Sequence, residues 1–225
     1  MKAHIVACVI VLSGFFTAAS AQAPKPAPEP ARPARPPLFL QEEWQQIPGG
    51  GEHALTPASV THANVEMKLY GPSSAELQLT GAAGNEGNPV HVWTGLCTSP
   101  CGVTLRDKAS YVDLTGLARI KWNTKTSGFH HVRPMLKLAD GTMLVGDYAA
   151  GSTLDWLTSE FSVAGVHWLK LDPERLVTVG NVVESPDLSK VDEVGFVDLM
   201  PASGHGPGGW SDVAQFEVYG KAVKR

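Results

Sequence analysis

Ten short runs in this 225-residue chain alternate apolar and polar residues, each bounded by turn formers. They are Val65–Tyr70, Glu76–Leu79, Val90–Trp93, Arg119–Trp122, Val132–Leu138, Met143–Val145, Glu160–Val163, His167–Leu171, Glu193–Val197 and Ala214–Tyr219. A period of two sends successive side chains to opposite faces, so each run reads as a half-buried antiparallel strand. Long stretches of helical period are absent, and only Asp172–Arg175 reads as a single helical turn. Ala139–Thr142 contains Asp140-Gly141 between two of the runs, which predicts a tight hairpin because that pair supports positive φ. About ten short strands without helices predict an all-β chain of two antiparallel sheets packed face to face.

The start of the chain has another character. Lys2 precedes an apolar stretch from Ile5 to Phe16, followed by the small-residue sites Ala19-Ser20-Ala21 and Ala21-Gln22-Ala23. That order reads as a secretory signal peptide over residues 1–23. The apolar stretch is too short to span a bilayer after processing, and Cys8 leaves with it. Residues 24–37, PKPAPEPARPARPP, lack the backbone donors and the φ freedom that helix or sheet needs. They read as an extended linker of roughly 40 Å at about 3.1 Å per residue, serving either as a spacer or as a tail without a role. A sandwich domain over 38–225, secreted or periplasmic and not membrane-attached after cleavage, is the expectation.

The chain carries 18 Lys+Arg and 22 Asp+Glu. Setting aside Lys2, Lys25, Arg32, Arg35 and Glu29 leaves 14 and 21, a domain balance near −7. That charge, with no basic cluster, argues against nucleic acid or an anionic membrane surface as a partner. Cys97 and Cys101 are the two cysteines of the mature domain, within one Pro- and Gly-containing loop. In an oxidising compartment such a pair forms a disulfide; a metal site would need a second ligand pair at suitable spacing, which is missing.

One element occurs twice. Asp113-Leu114-Thr115 leads into the strand of Ile120 and Trp122, and Asp187-Leu188-Ser189 leads into that of Val194 and Phe196. In each, Asp and a hydroxyl residue can hold a turn through side-chain to backbone bonds. These turns, the Asp140-Gly141 hairpin and the closing strand Phe216–Tyr219 resemble the galactose-binding-domain-like jelly rolls over roughly residues 100–220. The resemblance implies a jelly-roll sandwich and a ligand-binding role, often toward carbohydrate. Such folds also host structural modules, so function has to be argued from residues.

Three segments carry candidate chemistry. On Val132–Leu138 one face holds Val132, Pro134, Leu136 and Leu138, while His131, Arg133, Met135 and Lys137 share the other. An imidazole and a guanidinium on one face suit an oxygen-rich ligand, with Asp147 placed to fix the guanidinium; a solvated polar face is the plain alternative. His91 and Trp93 share a face opposite Val90 and Val92, and Trp93 leads into the cysteine loop. Its indole reads either as a stacking platform for a sugar ring or as a buried filler under the loop. Ser203–Trp210, with four glycines in eight residues, reads either as a ligand-contacting loop bearing His205 and Trp210 or as a connector. Trp122, Trp168 and Phe196 occupy core-like positions.

Catalytic motifs are lacking: there is no Gly-x-Ser-x-Gly elbow, no His-Glu-x-x-His, and His130 and His131 point to opposite sides of a strand. No cofactor is implied. A structural calcium would suit such a sandwich, but no segment has a recognisable calcium loop. The leading expectation is therefore a binding module for a carbohydrate or similar polyol, without catalysis. Its ligand-binding residues are Trp93, His131, Arg133, Asp147, His205 and Trp210. The alternatives are a glycan-acting hydrolase and a structural or protein-interaction domain.

Overall fold

The computed structural model describes residues 34–46, 51–153, 155–200 and 209–225. The signal-peptide segment, most of the proline-rich linker, and His205 with the rest of 201–208 lie outside the described residues. Sixteen strands occur among those described. The first eight are β1 (Leu38–Glu42), β2 (His53–Ala54), β3 (Val65–Tyr70), β4 (Gln78–Thr80), β5 (His91–Trp93), β6 (Cys101–Asp107), β7 (Ser110–Asp113) and β8 (Arg119–Thr126). They are followed by β9 (Val132–Leu138), β10 (Met143–Gly146), β11 (Leu157–Ser162), β12 (Trp168–Asp172), β13 (Val177–Val183), β14 (Val191–Asp198), β15 (Ser211–Tyr219) and β16 (Lys221–Lys224). Each of the ten alternating runs overlaps one of these. Further strands occur where alternation fails, as in β6, whose first five residues are all buried.

All pairings are antiparallel. The first sheet runs β11-β8-β15-β5-β4-β2, with β1 on β15 beyond β5; the second runs β13-β12-β10-β9-β14-β6-β3, extended by β7 and β16. Val92, Ile120, Trp122, Phe216 and Val218 of the first sheet face Val103, Leu136, Leu144, Val194 and Phe196 of the second in one core. Phe196 and Phe216, one from each sheet, meet with ring centroids 5.8 Å apart. The indole of Trp122, fully buried, donates to Ser159 Oγ at 2.9 Å, so its polar atom is satisfied inside the core. This is the jelly-roll sandwich that the repeated turns implied.

The side chains of those turns hold them as expected. Thr115 N donates to Asp113 Oδ1 at 2.8 Å and Ser189 N to Asp187 Oδ1 at 3.0 Å. The two turns also join each other, Leu114 N donating to Leu188 O at 2.9 Å. Gly141, at φ +88°, makes the β9–β10 hairpin as Asp140-Gly141 predicts. Asp172–Arg175 forms a non-helical turn between β12 and β13, tightened by Leu176 N to Asp172 O at 2.8 Å.

Two expectations need revision. The outer face of β9 is not polar throughout: Met135 is fully buried in a second apolar cluster with Met143, Val145, Leu171, Leu176 and Val197. Leu176, at φ 49°, turns inward from the β12–β13 connection and closes over that face. Contacts with the sandwich also begin before residue 38. Arg35 pairs with Glu160 at 2.6 Å and lies over the Tyr219 ring at 4.2 Å, and Pro37 O accepts from Gly220 N at 3.1 Å.

Candidate functional site

The alternation of β5 sends Val92 into the core and His91 and Trp93 to the outer face of the first sheet. Both outer residues are nonetheless buried. Gly95 explains part of this: a Cβ there would lie 2.1 Å from the Trp93 indole, so the loop after β5 lies flat on the ring and tolerates only glycine. On the neighbouring strand β15, Asp212 stands opposite Trp93. A cleft of about 250 Å³ opens between them, walled by the Trp93 and Trp210 indoles and rimmed by Thr80 and Asn88.

The Asp212 carboxyl and the His91 imidazole face one another at its base. His91 Nδ1 lies 2.7 Å from Pro89 O, a carbonyl that can only accept, so Nδ1 carries the ring proton. In the neutral imidazole Nε2 is then a lone pair, and it points at Asp212 Oδ1 at 3.6 Å, beyond hydrogen-bond distance. Asp212 Oδ2 accepts from Trp210 Nε1 at 3.2 Å, while Oδ1 is buried without a partner. Burial raises the Asp212 pKa from 3.8 to about 7, against the opposing pull of the Trp210 bond and the Lys125 charge. Burial also lowers the His91 pKa, which the Pro89 bond partly offsets. While Asp212 holds its proton, Oδ1–H is directed at the Nε2 lone pair; once ionised, near pH 7 and above, Oδ1 and Nε2 are two acceptors with capacity for ligand hydroxyls that donate to them.

Other groups extend this face. Trp156, just before β11, meets the His91 ring edge-on at 5.0 Å and donates through Nε1 to Gly87 O at 3.3 Å, fastening the 81–90 loop. Beyond that loop a hollow of about 410 Å³ is bounded by Trp44, Ala83 and Gln215. Asn123 lines it, and its Oδ1 is again buried without a partner. Asn123 and Lys125 are two residues apart on β8, and Lys125 stands opposite Asp212. Alternation thus puts both orphaned oxygens on one sheet face.

The structure divides the expected site residues. Trp93 and Trp210 share the cleft on the first sheet, Trp93 as a buried wall rather than an open platform. His131, Arg133 and Asp147 line a separate cleft of about 390 Å³ on the outer side of the second sheet, and the two clefts share no lining residue. Asp147 does not hold the guanidinium: it accepts from His167 N at 2.9 Å and His167 Nδ1 at 2.7 Å. Asp212 and Trp156 were not singled out in the sequence, because nothing in Ser211–Tyr219 marks one acid as buried. His91 was visible there only as the neighbour of Trp93 on one face.

Two further polar sets are structural. Asp198 Oδ2 accepts from His130 Nδ1 at 2.7 Å and Ser211 Oγ at 2.9 Å, all three residues buried. The serine bonds the carboxylate and not the imidazole, so the serine–histidine pair of a triad is not assembled, and all three groups are closed to solvent. Fully buried Glu193 accepts from Lys68 Nζ at 2.6 Å and from Tyr70 Oη and Thr104 Oγ1 at 2.7 Å. Cys97 and Cys101 are joined, with Cα atoms 6.5 Å apart. Among the described residues no group of three or more His, Cys, Asp or Glu is disposed to hold a metal.

No protein-family model matches the chain, and no curated protein does. Among solved structures, it is similar to the family 11 carbohydrate-binding module of the cellulosomal cellulase Lic26A-Cel5E of Clostridium thermocellum. That match has a TM-score of 0.47 and 16% identity over 77% of this chain and 96% of that one. The family 11 module from Clostridium thermocellum in complex with a β-1,3-1,4-mixed-linked tetrasaccharide matches at 0.45 and 16%, over 79% and 99%. TmCBM61 in complex with β-1,4-galactotriose matches at 0.38 and 13%, over 69% and 88%. At this distance the likeness is one of architecture.

Proposed function

We propose that this chain is an exported binding module for a neutral saccharide or similar polyol, taken up on the outer face of the first sheet. The observation that carries the reading is Asp212 Oδ1, buried without a partner beside the His91 Nε2 lone pair and between two indoles. A buried acceptor left unmatched costs about 1–3 kcal/mol, and with Asp212 ionised, near pH 7 and above, ligand hydroxyls that donate to Oδ1 and Nε2 remove that cost. The indole faces suit the C–H faces of a pyranose. The orphaned Asn123 Oδ1 farther along the face supports a ligand longer than one sugar. The composition of residues 1–23 supports export, and the acidic domain supports a partner that is neither nucleic acid nor membrane.

The test is titration of the purified protein with neutral oligosaccharides, mixed-linked β-glucan and β-galactan fragments first, followed by tryptophan fluorescence and calorimetry. Saturable binding that Trp210→Ala weakens is expected. Binding that ignores Trp210→Ala, or no binding to any neutral glycan on an array, defeats the reading. A glycan hydrolase is the second reading. It is favoured by Asp212, whose raised pKa suits a general acid, and by the carboxylate of Glu52 in the same cleft. New reducing ends that appear with time and vanish in Asp212→Asn would convert the binder into an enzyme.

A further inference from the structure

The cleft on the second sheet carries a cation to which no carboxylate of the described residues is bonded. It opens where β9 begins and β10 and β14 end, and Arg133 is the one arginine or lysine in its lining. Arg133 Nε donates to Gly146 O at 2.8 Å, which fixes the plane of the guanidinium. Its two terminal nitrogens, four N–H donors in all, have no acceptor among the described residues. The one carboxylate of the lining, Asp147, is occupied by His167. Four other guanidiniums are matched: Arg106 pairs with Glu66 and Asp192, Arg119 and Arg35 with Glu160, and Arg225 with Asp192; Arg175, which has no ion pair among the described residues, is exposed in the β12–β13 turn, where water solvates it. Burial lowers the Arg133 pKa, with the Asp147 charge opposing it, so this cation is partly desolvated yet lacks a bonded anion.

The rest of the lining says what the cation meets. His131 Nδ1 lies 2.8 Å from Phe129 O, so it carries the ring proton and Nε2 of the neutral ring is an acceptor. Ala149, Leu199 and Met200 form an apolar wall. The cleft therefore offers a planar fork of donors, one acceptor for a hydroxyl, and a surface for a carbon skeleton. The nearby Asp147 charge disfavours a dianion such as phosphate and leaves room for a single negative charge.

We propose that this cleft is a second binding site, independent of the one on the first sheet, for a small hydroxylated monocarboxylate such as a hexuronate. The carboxylate lies against the terminal nitrogens of Arg133 in the two-bond geometry that guanidinium favours. A hydroxyl of the ligand donates to His131 Nε2.

The test is an NMR titration of the ¹⁵N-labelled protein, following Arg133 Nε–H and the amides of Gly146 and Leu199. The probes are glucuronate, glucose, lactate, acetate and inorganic phosphate. Glucuronate is expected to shift these resonances saturably at millimolar concentration, and glucose to leave them unmoved. The response should be unchanged in Trp210→Ala, and weakened roughly tenfold or more in Arg133→Gln, as expected for a lost charged hydrogen bond. Arg133→Lys keeps the charge without the fork and should also lose most of the affinity, in a protein whose other resonances stay in place. A lactate response equal to that of glucuronate identifies a hydroxy acid as sufficient; response to glucuronate alone shows that the sugar ring is read. Equal shifts from acetate or phosphate, no shift with glucuronate, or a glucuronate response that survives Arg133→Gln overturns the proposal.

Discussion

Replacing Asp212 with Asn should stabilise the ligand-free protein above neutral pH while weakening its grip on saccharide. Asp212 is 5% exposed, and burial lifts its pKa from 3.8 to about 7. The unfolded chain loses this proton near 3.8, whereas the folded chain keeps it until about 7. A raised folded-state pKa gives stability that is full below the unfolded value and is lost as pH climbs through the folded one. The gap corresponds to roughly 4 kcal/mol at about 1.4 kcal/mol per pH unit, present at pH 4 and gone above pH 7. The Asp212→Asn amide carries no such charge. It can also donate to the His91 Nε2 lone pair while its oxygen keeps the Trp210 bond. For a domain of this size roughly 2–4 °C in Tm accompany each kcal/mol, so the variant should melt roughly 8–16 °C higher near pH 8. The difference should shrink toward zero near pH 4. Scanning calorimetry of both proteins in matched buffers cancels the titration of every other group. A difference that stays flat with pH, or a variant less stable at pH 8, refutes the assignment of a buried, proton-holding carboxyl.

Other outcomes follow from the same contacts. Trp210→Ala removes one wall of the cleft and the donor to Asp212 Oδ2; saccharide affinity by calorimetry should fall roughly tenfold, from a stacking loss of about 0.5–1.5 kcal/mol plus the disturbed carboxyl. Thiol titration of the denatured, unreduced mature protein should find no free thiol at Cys97 or Cys101. Their separation of four residues predicts that reduction costs roughly 2 kcal/mol by loop entropy, read as a modest drop in Tm. A chain shortened to begin at Leu38 loses the exposed Arg35–Glu160 pair and the Arg35–Tyr219 contact; it should melt lower by no more than a few degrees, about 1 kcal/mol or less for a solvent-screened pair. Glu193→Gln removes the charge that Lys68 and Lys137 both meet and should cost roughly 3–5 kcal/mol by denaturant melt.

Alternation along the chain determined much of the fold. Each alternating run lies in or overlaps a strand, because a pleated backbone has one side-chain period whatever its partners. Asp140-Gly141, Asp113 and Asp187 made the expected turns through contacts only one to three residues away. Trp122, Trp168 and Phe196 are core residues, as position and bulk alone required. The site is another matter. Alternation assigns a residue to a face but says nothing of what covers that face, so Met135 read as exposed and proved fully buried. Which strands lie side by side is set by long-range pairing, and that pairing brought Asp212 to Trp93 and His91 while leaving Arg133 on the opposite sheet. Whether a carboxylate is solvated or holds a proton near neutral pH depends on the atoms packed around it. Those atoms come from β5, β8 and β15, distant in sequence, so only the folded chain could decide the chemistry of Asp212.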